Sequence, residues 1–211
     1  MPYSQQLLSM KILKFLTLLF SVMVITSCST TMRATLSKKQ LPQLIDSLYQ
    51  ADQSTVNIRP GDSAAAAYQR VIRTNFPYVS AIFRRHGFPG YDLVGKETSN
   101  KYFLLVQHSD FDPNFQLKVL KSMKQEVDKQ NASGQNFAFL TDRTELNNGC
   151  PQIYGTQVFM SGDTKIKPCV DTLNLNQRRK SVGLSTIEEY IAKCNDIFYQ
   201  MNPNEKRPAK N

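Results

Sequence analysis

The chain has 211 residues, of which 41% are hydrophobic and 20% charged, and it carries a formal net charge of +9. That length leaves room for one globular domain with a real core. The basic excess is scattered over Lys38-Lys39, Arg84-Arg85, Arg178-Arg179-Lys180 and Lys206-Arg207-Lys210. No basic stripe with interleaved aromatics forms, so nucleic acid is excluded as an expected partner. A solvated surface is the expected role of these charges, with weak attraction to anionic headgroups or cell-wall polymers second.

The first element is a targeting segment. Lys11 and Lys14 precede the apolar run Phe15–Ile25, which is too short to span a bilayer comfortably and has the length of a signal-peptide core. Met10 serves as well as Met1 for the true start. The run ends in Ile25-Thr26-Ser27-Cys28, which resembles the lipobox of bacterial lipoproteins: an aliphatic residue, two small ones, then the cysteine that is lipidated. Small residues let the backbone enter the peptidase, and the thiol carries the diacylglyceryl group. Residues 1–27 are therefore expected to be removed. Cys28 is expected to anchor the chain in the cell membrane or outer membrane, with the domain outside the cytoplasm.

Residues 28–39 read as the lipidated cysteine and a polar tether. Leu41, Leu44, Ile45 and Leu48 recur at helical spacing as far as Asp52-Gln53. After a loop at 57–61, Asp62 or Ser63 can cap a helix carrying Tyr68, Val71 and Ile72. Pro77 is expected to interrupt it, since proline disfavours helical geometry at Phe76. A second helix carries Val79, Ile82 and Phe83 to Gly87. Tyr102–Val106 is an apolar run that periodicity alone leaves open between helix and strand.

Asp112-Pro113 is an N-cap and first-turn pair opening a helix with Leu117, Leu120 and Met123. Phe137–Leu146 is expected to be helical. Gln152–Met160 and Lys165–Val170 flank Ser161-Gly162-Asp163 as a hairpin. Two helices follow, at about 174–182 and 185–201, the latter opened by a capping box at Ser185-Thr186-Ile187-Glu188. The globular domain is thus expected over 40–201, with a disordered tail at 202–211. The expected class is mainly α, one helical domain with one small β-hairpin.

Three cysteines remain after Cys28, in an oxidising compartment. Cys194 lies on the helical stripe Ile187, Ile191, Cys194, Phe198, Met201 and reads as a buried thiol. Cys150 and Cys169 are the best disulfide candidates, although the hairpin register would put Cys169 opposite about Gly155 rather than Cys150.

Several polar strings stand out in order: Gly87-Phe88-Pro89-Gly90, Gln107-His108-Ser109-Asp110, Leu140-Thr141-Asp142-Arg143, Pro151-Gln152-Ile153-Tyr154-Gly155-Thr156-Gln157, and Arg178-Arg179 before Val182-Gly183-Leu184. Over about residues 40–200 they resemble a bacterial domain family of unknown function. Its members carry G-W-P-G, Q-H-A with a nearby Asp, T-D-R, P-Q-x-Y-G-T-Q and R-R-x-x-V-G-L before a final helix with a tyrosine, here Tyr190. Phe88 replaces the usual tryptophan. The resemblance implies a largely helical fold and a site location but no reaction, and it turns Tyr102–Val106 toward helix.

His108 is a candidate general base, with Asp110 or Asp142 to orient it. The competing reading is a histidine bonded to carbonyls at a helix end. His108, Asp110 and Asp112 carry ligand types a metal could use, but Asp112 is better explained as a cap, so no metal is expected. Arg143 either pairs with Asp142 in the core or grips an anionic ligand. Gln152, Tyr154 and Thr156 would share one face of a regular strand, with Gln157 on the other, and Gly155 would allow close approach of a ligand or another chain. That polar face either holds a sugar or peptide or bonds internally to Arg178 and Arg179.

No cofactor motif, serine triad or paired C-x-x-C occurs. The leading expectation is an envelope lipoprotein binding a glycan, peptide or protein ligand. Its alternative is an envelope hydrolase using His108 as base, with Arg143 or Arg178 steadying an oxyanion. That alternative requires His108, Asp142, Tyr154 and Arg178 to converge on one open cleft.

Overall fold

The computed structural model describes residues 37–54 and 62–207. The expected signal segment, Cys28, the tether up to residue 36, the loop at 57–61 and residues 208–211 lie outside the described residues. The chain divides into two compact units, Met1–Leu44 and Ile45–Asn211. In the first, the described part is a turn in which the N–H groups of Gln40 and Leu41 donate to the Ser37 carbonyl. It leads into the first turn of helix α1 (Leu41–Gln53).

The second unit takes in the rest of α1 and seven further described helices. These are α2 (Asp62–His86), the single turn α3 (Tyr91–Val94), α4 (Lys96–Gln107), α5 (Pro113–Asp128), α6 (Gly134–Asn147), α7 (Leu175–Ser181) and α8 (Ile187–Met201). A two-residue strand pair, β1 (Val158–Phe159) and β2 (Lys165–Ile166), and a 3₁₀ turn at Thr172–Asn174 separate α6 from α7. The fold is therefore mainly α with one small antiparallel hairpin. No described helix is long and apolar enough to cross a membrane.

The core follows from the apolar stripes. Ile72, Val79 and Ile82 of α2, Tyr102, Phe103, Leu105 and Val106 of α4, Val119 and Met123 of α5, and Ala138 and Leu140 of α6 are all buried. α4 packs against α2, α5 and α6, and α5 packs along α6. Tyr102 is fully enclosed, and its hydroxyl donates to the Val79 carbonyl at 3.0 Å. Phe88 sits edge-on to Tyr102 with ring centres 5.8 Å apart. The run Tyr102–Val106 lies inside α4, which settles the ambiguity left by its periodicity.

Local signals placed most helix ends. Asp112 accepts from the Phe115 N–H at 2.9 Å and Pro113 occupies the first turn of α5. Ser133 caps α6 in the same manner. The capping box of α8 lies one residue later than expected. Thr186 and Glu189 exchange the two bonds, not Ser185 and Glu188. Of the α8 stripe only Cys194 is buried, while Met201 is 72% exposed.

Pro77 does not interrupt the helix; α2 runs through it. Its neighbours hold the turn in place. The Asn75 amide donates to the Leu48 carbonyl at 3.0 Å, Phe76 stacks edge-on to Phe111 and Phe115, and Val79 and Ile82 are buried. Tertiary contacts on both sides of an exposed proline outweigh the one backbone bond it removes. Arg207 pairs with Asp196 at 2.6 Å and lies over the Tyr199 ring.

Pro77→Ala restores a backbone donor in an exposed helix interior. It should raise stability by about 1–2 kcal/mol once the lost rigidity of the unfolded chain is set against it. Urea unfolding followed by circular dichroism measures the gain, and an equal or lower midpoint would show that Pro77 itself stabilises α2.

Candidate functional site

The sequence-predicted residues fall into two groups that share α6. The first is built around Asp142, which is fully buried. One carboxylate oxygen accepts from the N–H groups of Ile153 and Tyr154, each at 2.8 Å. The other accepts from the N–H and the hydroxyl of Thr156, also at 2.8 Å. Four donors around one carboxylate fold residues 153–156 into a loop instead of the expected strand.

Gln152 is fully buried beside it and closes the loop. Its amide donates to the carbonyls of Gln157 and Lys167 and accepts from the Gln157 N–H, all at 2.9 Å. The Gln157 side chain reaches only Thr156. Gly155 has φ +67°, and a Cβ there would meet Leu175 and Ile187 at 3.3 Å. The chain that approaches Gly155 is thus its own.

Arg178 and Arg179 hold the far side of the loop. Arg178 donates to the carbonyls of Ile153, Val170 and Asp171. Arg179, buried over the Tyr190 ring, donates to Tyr154, Gly155 and Ser185. The Tyr190 hydroxyl donates to the Thr156 carbonyl at 2.8 Å. Gln152, Thr156, Arg178 and Arg179 therefore bond within the fold and do not form a ligand-facing strand. A polar string in a bent loop has backbone groups of its own to satisfy, and these side chains satisfy them.

The expected Cys150–Cys169 bridge is not formed, and both thiols are free. The residue paired with Cys169 is Gln152, through a parallel bridge two residues beyond Cys150. Burial pushes the Cys169 thiol above its usual pKa, with the nearby Asp142 charge adding to the effect.

The second group surrounds His108, the residue that ends α4. Its Nδ1 lies 2.9 Å from both oxygens of Asp52, a carboxylate only 1% exposed. Because a carboxylate accepts, the proton belongs on Nδ1 and the free lone pair on Nε2. No described residue hydrogen-bonds Nε2. Tyr68 of α2 stands edge-on to the imidazole at 5.7 Å. The Tyr68 hydroxyl is pushed up to about 12 by burial, then by the charge of Asp52 and to a smaller extent Asp110, against the opposing Arg143. It therefore stays protonated and can donate.

Asp110 and Arg143 complete this group but pair with each other. The guanidinium makes two bonds to the Asp110 carboxylate, at 2.7 and 2.6 Å. Arg143 does not pair with Asp142, its neighbour in sequence, because the two side chains serve different partners across α6. Burial works to raise the Asp110 carboxyl, but Arg143, Gln116 and Asn147 outweigh it and hold it below its ordinary range. Gln116 is fully buried and donates to the carbonyls of Val106 and Gln107 and to Asp110. It clasps the turn that carries His108.

The four residues expected to share a cleft belong to different groups. Asp142 and Arg178 serve the 152–157 loop, and the charged neighbours of Tyr154 are Asp142, Lys124 and Arg178. Neither Asp110 nor Asp142 orients His108; Asp52 does. Asp112 caps α5, and among the described residues no group of three His, Cys, Asp or Glu could hold a metal ion. Asp52, Tyr68 and Gln116 were not anticipated. Asp52 did carry a signal, since it continues the buried stripe Ile45, Leu48 at the next helical position. A carboxylate at a core position requires a buried partner.

Asp142→Asn puts an NH₂ group where backbone donors converge and leaves at least one of them unpaired. The expected loss is about 3 kcal/mol, with the 152–157 loop opening first. Hydrogen exchange at Ile153, Tyr154 and Thr156 reads it, and unchanged protection there would remove Asp142 as the organiser.

The motifs and the fold can now be set beside known proteins. No curated protein and no solved structure matches the chain. A family of unknown function (DUF6624) matches residues 69–201. That span includes His108, the Asp110–Arg143 pair, Asp142 and its loop, and it starts after Asp52 and Tyr68. With more than half of its length matched, the chain belongs to this family of unknown function.

Proposed function

We propose that the chain is a lipid-anchored protein of the bacterial cell envelope whose helical domain performs acid–base chemistry at His108 with Asp52 as its partner, a different machinery from the cleft of His108, Asp142, Tyr154 and Arg178 that the hydrolase expected from the sequence required. One observation carries the catalytic half of this reading: the buried Asp52 carboxylate holds Nδ1, and no described residue hydrogen-bonds Nε2. That arrangement fixes tautomer and ring orientation together, as a general base requires. Ser109 supplies no nucleophile, because its hydroxyl is buried and donates to the Leu105 carbonyl. The reaction that fits is therefore activation of a water molecule, giving hydrolysis. Nε2 takes a proton from the water as its oxygen attacks, and His108 returns that proton to the leaving group.

The electrostatics bear on the substrate. Asp110 lies against the guanidinium of Arg143, whose Nε and one terminal nitrogen already serve that carboxylate. Arg178 is engaged with carbonyls of its own loop. Neither arginine is placed to steady an oxyanion, and Tyr68 stands beside the imidazole as a hydroxyl that stays protonated and can donate to a substrate carbonyl or hydroxyl. The absence of a side-chain nucleophile beside His108 favours a second reading, binding of an envelope ligand without turnover.

His108→Asn keeps an N–H for Asp52 but removes the base. If His108 is the base, hydrolysis of chromogenic ester, amide and glycoside probes should fall about 100-fold while the melting temperature holds. A variant as active as the parent would exclude His108 from the chemistry. Retention of envelope material with no turnover by the parent would select the binding reading.

The anchoring half rests on Lys11, Lys14, the apolar run and Ile25-Thr26-Ser27-Cys28. Cys28→Ala should accumulate as uncut precursor and lose incorporation of labelled fatty acid. Persistent labelling in that variant would refute the anchor.

A further inference from the structure

We propose that the β1–β2 hairpin is a second membrane contact, seating Phe159 and Met160 at the headgroup boundary of an anionic bilayer. Phe159 is 59% exposed and Met160 is 48% exposed, adjacent at the end of a strand. They are carried by a hairpin with only two cross-strand pairs, Val158–Ile166 and Phe159–Lys165. Such a short hairpin has little stability alone. Here its turn is fastened to α8.

Two contacts make that fastening, and a third closes the turn on itself. The Thr164 N–H donates to the Asn195 side chain at 2.9 Å, and Thr164 and Ser161 bond each other across the turn. Gly162 lies so close to Tyr199 that a Cβ would stand 2.3 Å from the tyrosine hydroxyl. Two large apolar side chains are thus held out in water by a pinned turn. Burying them elsewhere recovers about 1.5–3 kcal/mol each.

The charges beside them identify the surface. Lys165 stands opposite Phe159, and the Lys167 ammonium lies 5.6 Å from the Phe159 ring centre. Lys167 has no carboxylate partner among the described residues. Arg207 lies over Tyr199 at the same turn. The acids nearby are Asp163 and Asp196, paired with Lys165 and Arg207, and Glu205. An aromatic ring and a thioether between lysines that can reach phosphates suit an interfacial position in a bilayer. Without Lys11 and Lys14 of the leader, 24 basic residues still face 17 acidic ones, and this excess draws the anchored chain toward anionic lipid.

Nearness of the bilayer rests on the lipid-anchor reading. Residues 29–39 span at most about 40 Å even at full stretch, so an anchored domain stays beside the membrane. The hairpin contact would then be intramolecular in effect, and a weak affinity would suffice.

The chain contains no tryptophan, so a single substitution gives a local reporter. Full-length Phe159→Trp and, as a control on α2, Tyr78→Trp are mixed with phosphatidylglycerol-containing vesicles. Emission of the first should shift to the blue and be quenched by brominated lipid, while the second stays unchanged. Lys165→Glu with Lys167→Glu should abolish the shift. Water-like emission from residue 159 on vesicle-bound chain would overturn the hairpin contact and leave the anchor intact. Equal shifts at 78 and 159 would overturn it as general immersion. A concentration-dependent shift before lipid is added would assign the patch to self-association instead. Lipidation of Cys28 does not enter this measurement, so failure of the anchor is read separately, by the labelling of Cys28→Ala.

Discussion

The carboxylate of Asp142 accepts four hydrogen bonds inside the protein, and the geometry of the C-terminal half depends on them. A buried carboxylate is costly to leave unsatisfied, and a bent backbone with unpaired N–H groups is equally costly. Each defect here is the remedy for the other. The loop at 153–156 converges its donors, and α6 supplies the acceptor at its centre. Gln152, Arg178 and Arg179 then bond the outward carbonyls, and Gly155 lets Leu175 and Ile187 close over the loop.

The next residue, Arg143, points away from that loop and holds Asp110. One turn of α6 therefore couples the closed loop to the turn carrying His108. The T-D-R string has two partners on different sides, which explains why Asp and Arg occur side by side without pairing. Gln116 adds a third attachment from α5. Its amide grips the carbonyls before His108 and the carboxylate after it. His108 is thus held by backbone as well as by Asp52.

This division changes the meaning of the motifs. The longest polar string, P-Q-x-Y-G-T-Q, looks like a binding surface when written as a strand. In three dimensions most of its polar groups have internal partners, and its role is to be a rigid loop. The shorter Q-H-S-D string carries His108, held by a buried carboxylate. Its orienting acid comes from α1, 56 residues earlier, in a segment with no motif of its own.

Helix positions and several caps were legible in the sequence, because periodic apolar residues and Asp112-Pro113 act over four or five neighbours. The hairpin turn was legible for the same reason. Pro77 was misread, since contacts from Leu48, Phe111 and Phe115 decide its turn. The partners of His108, Arg143 and Asp142 were misread too. Hydrogen-bond partners are chosen by which helices meet, and packing of distant apolar stripes determines that. By itself, then, the sequence established a mainly helical chain with one small hairpin. Only the tertiary structure decided that Asp52 orients His108 and that Asp142 closes the loop. Burial makes those carboxylates depend on groups remote in the chain.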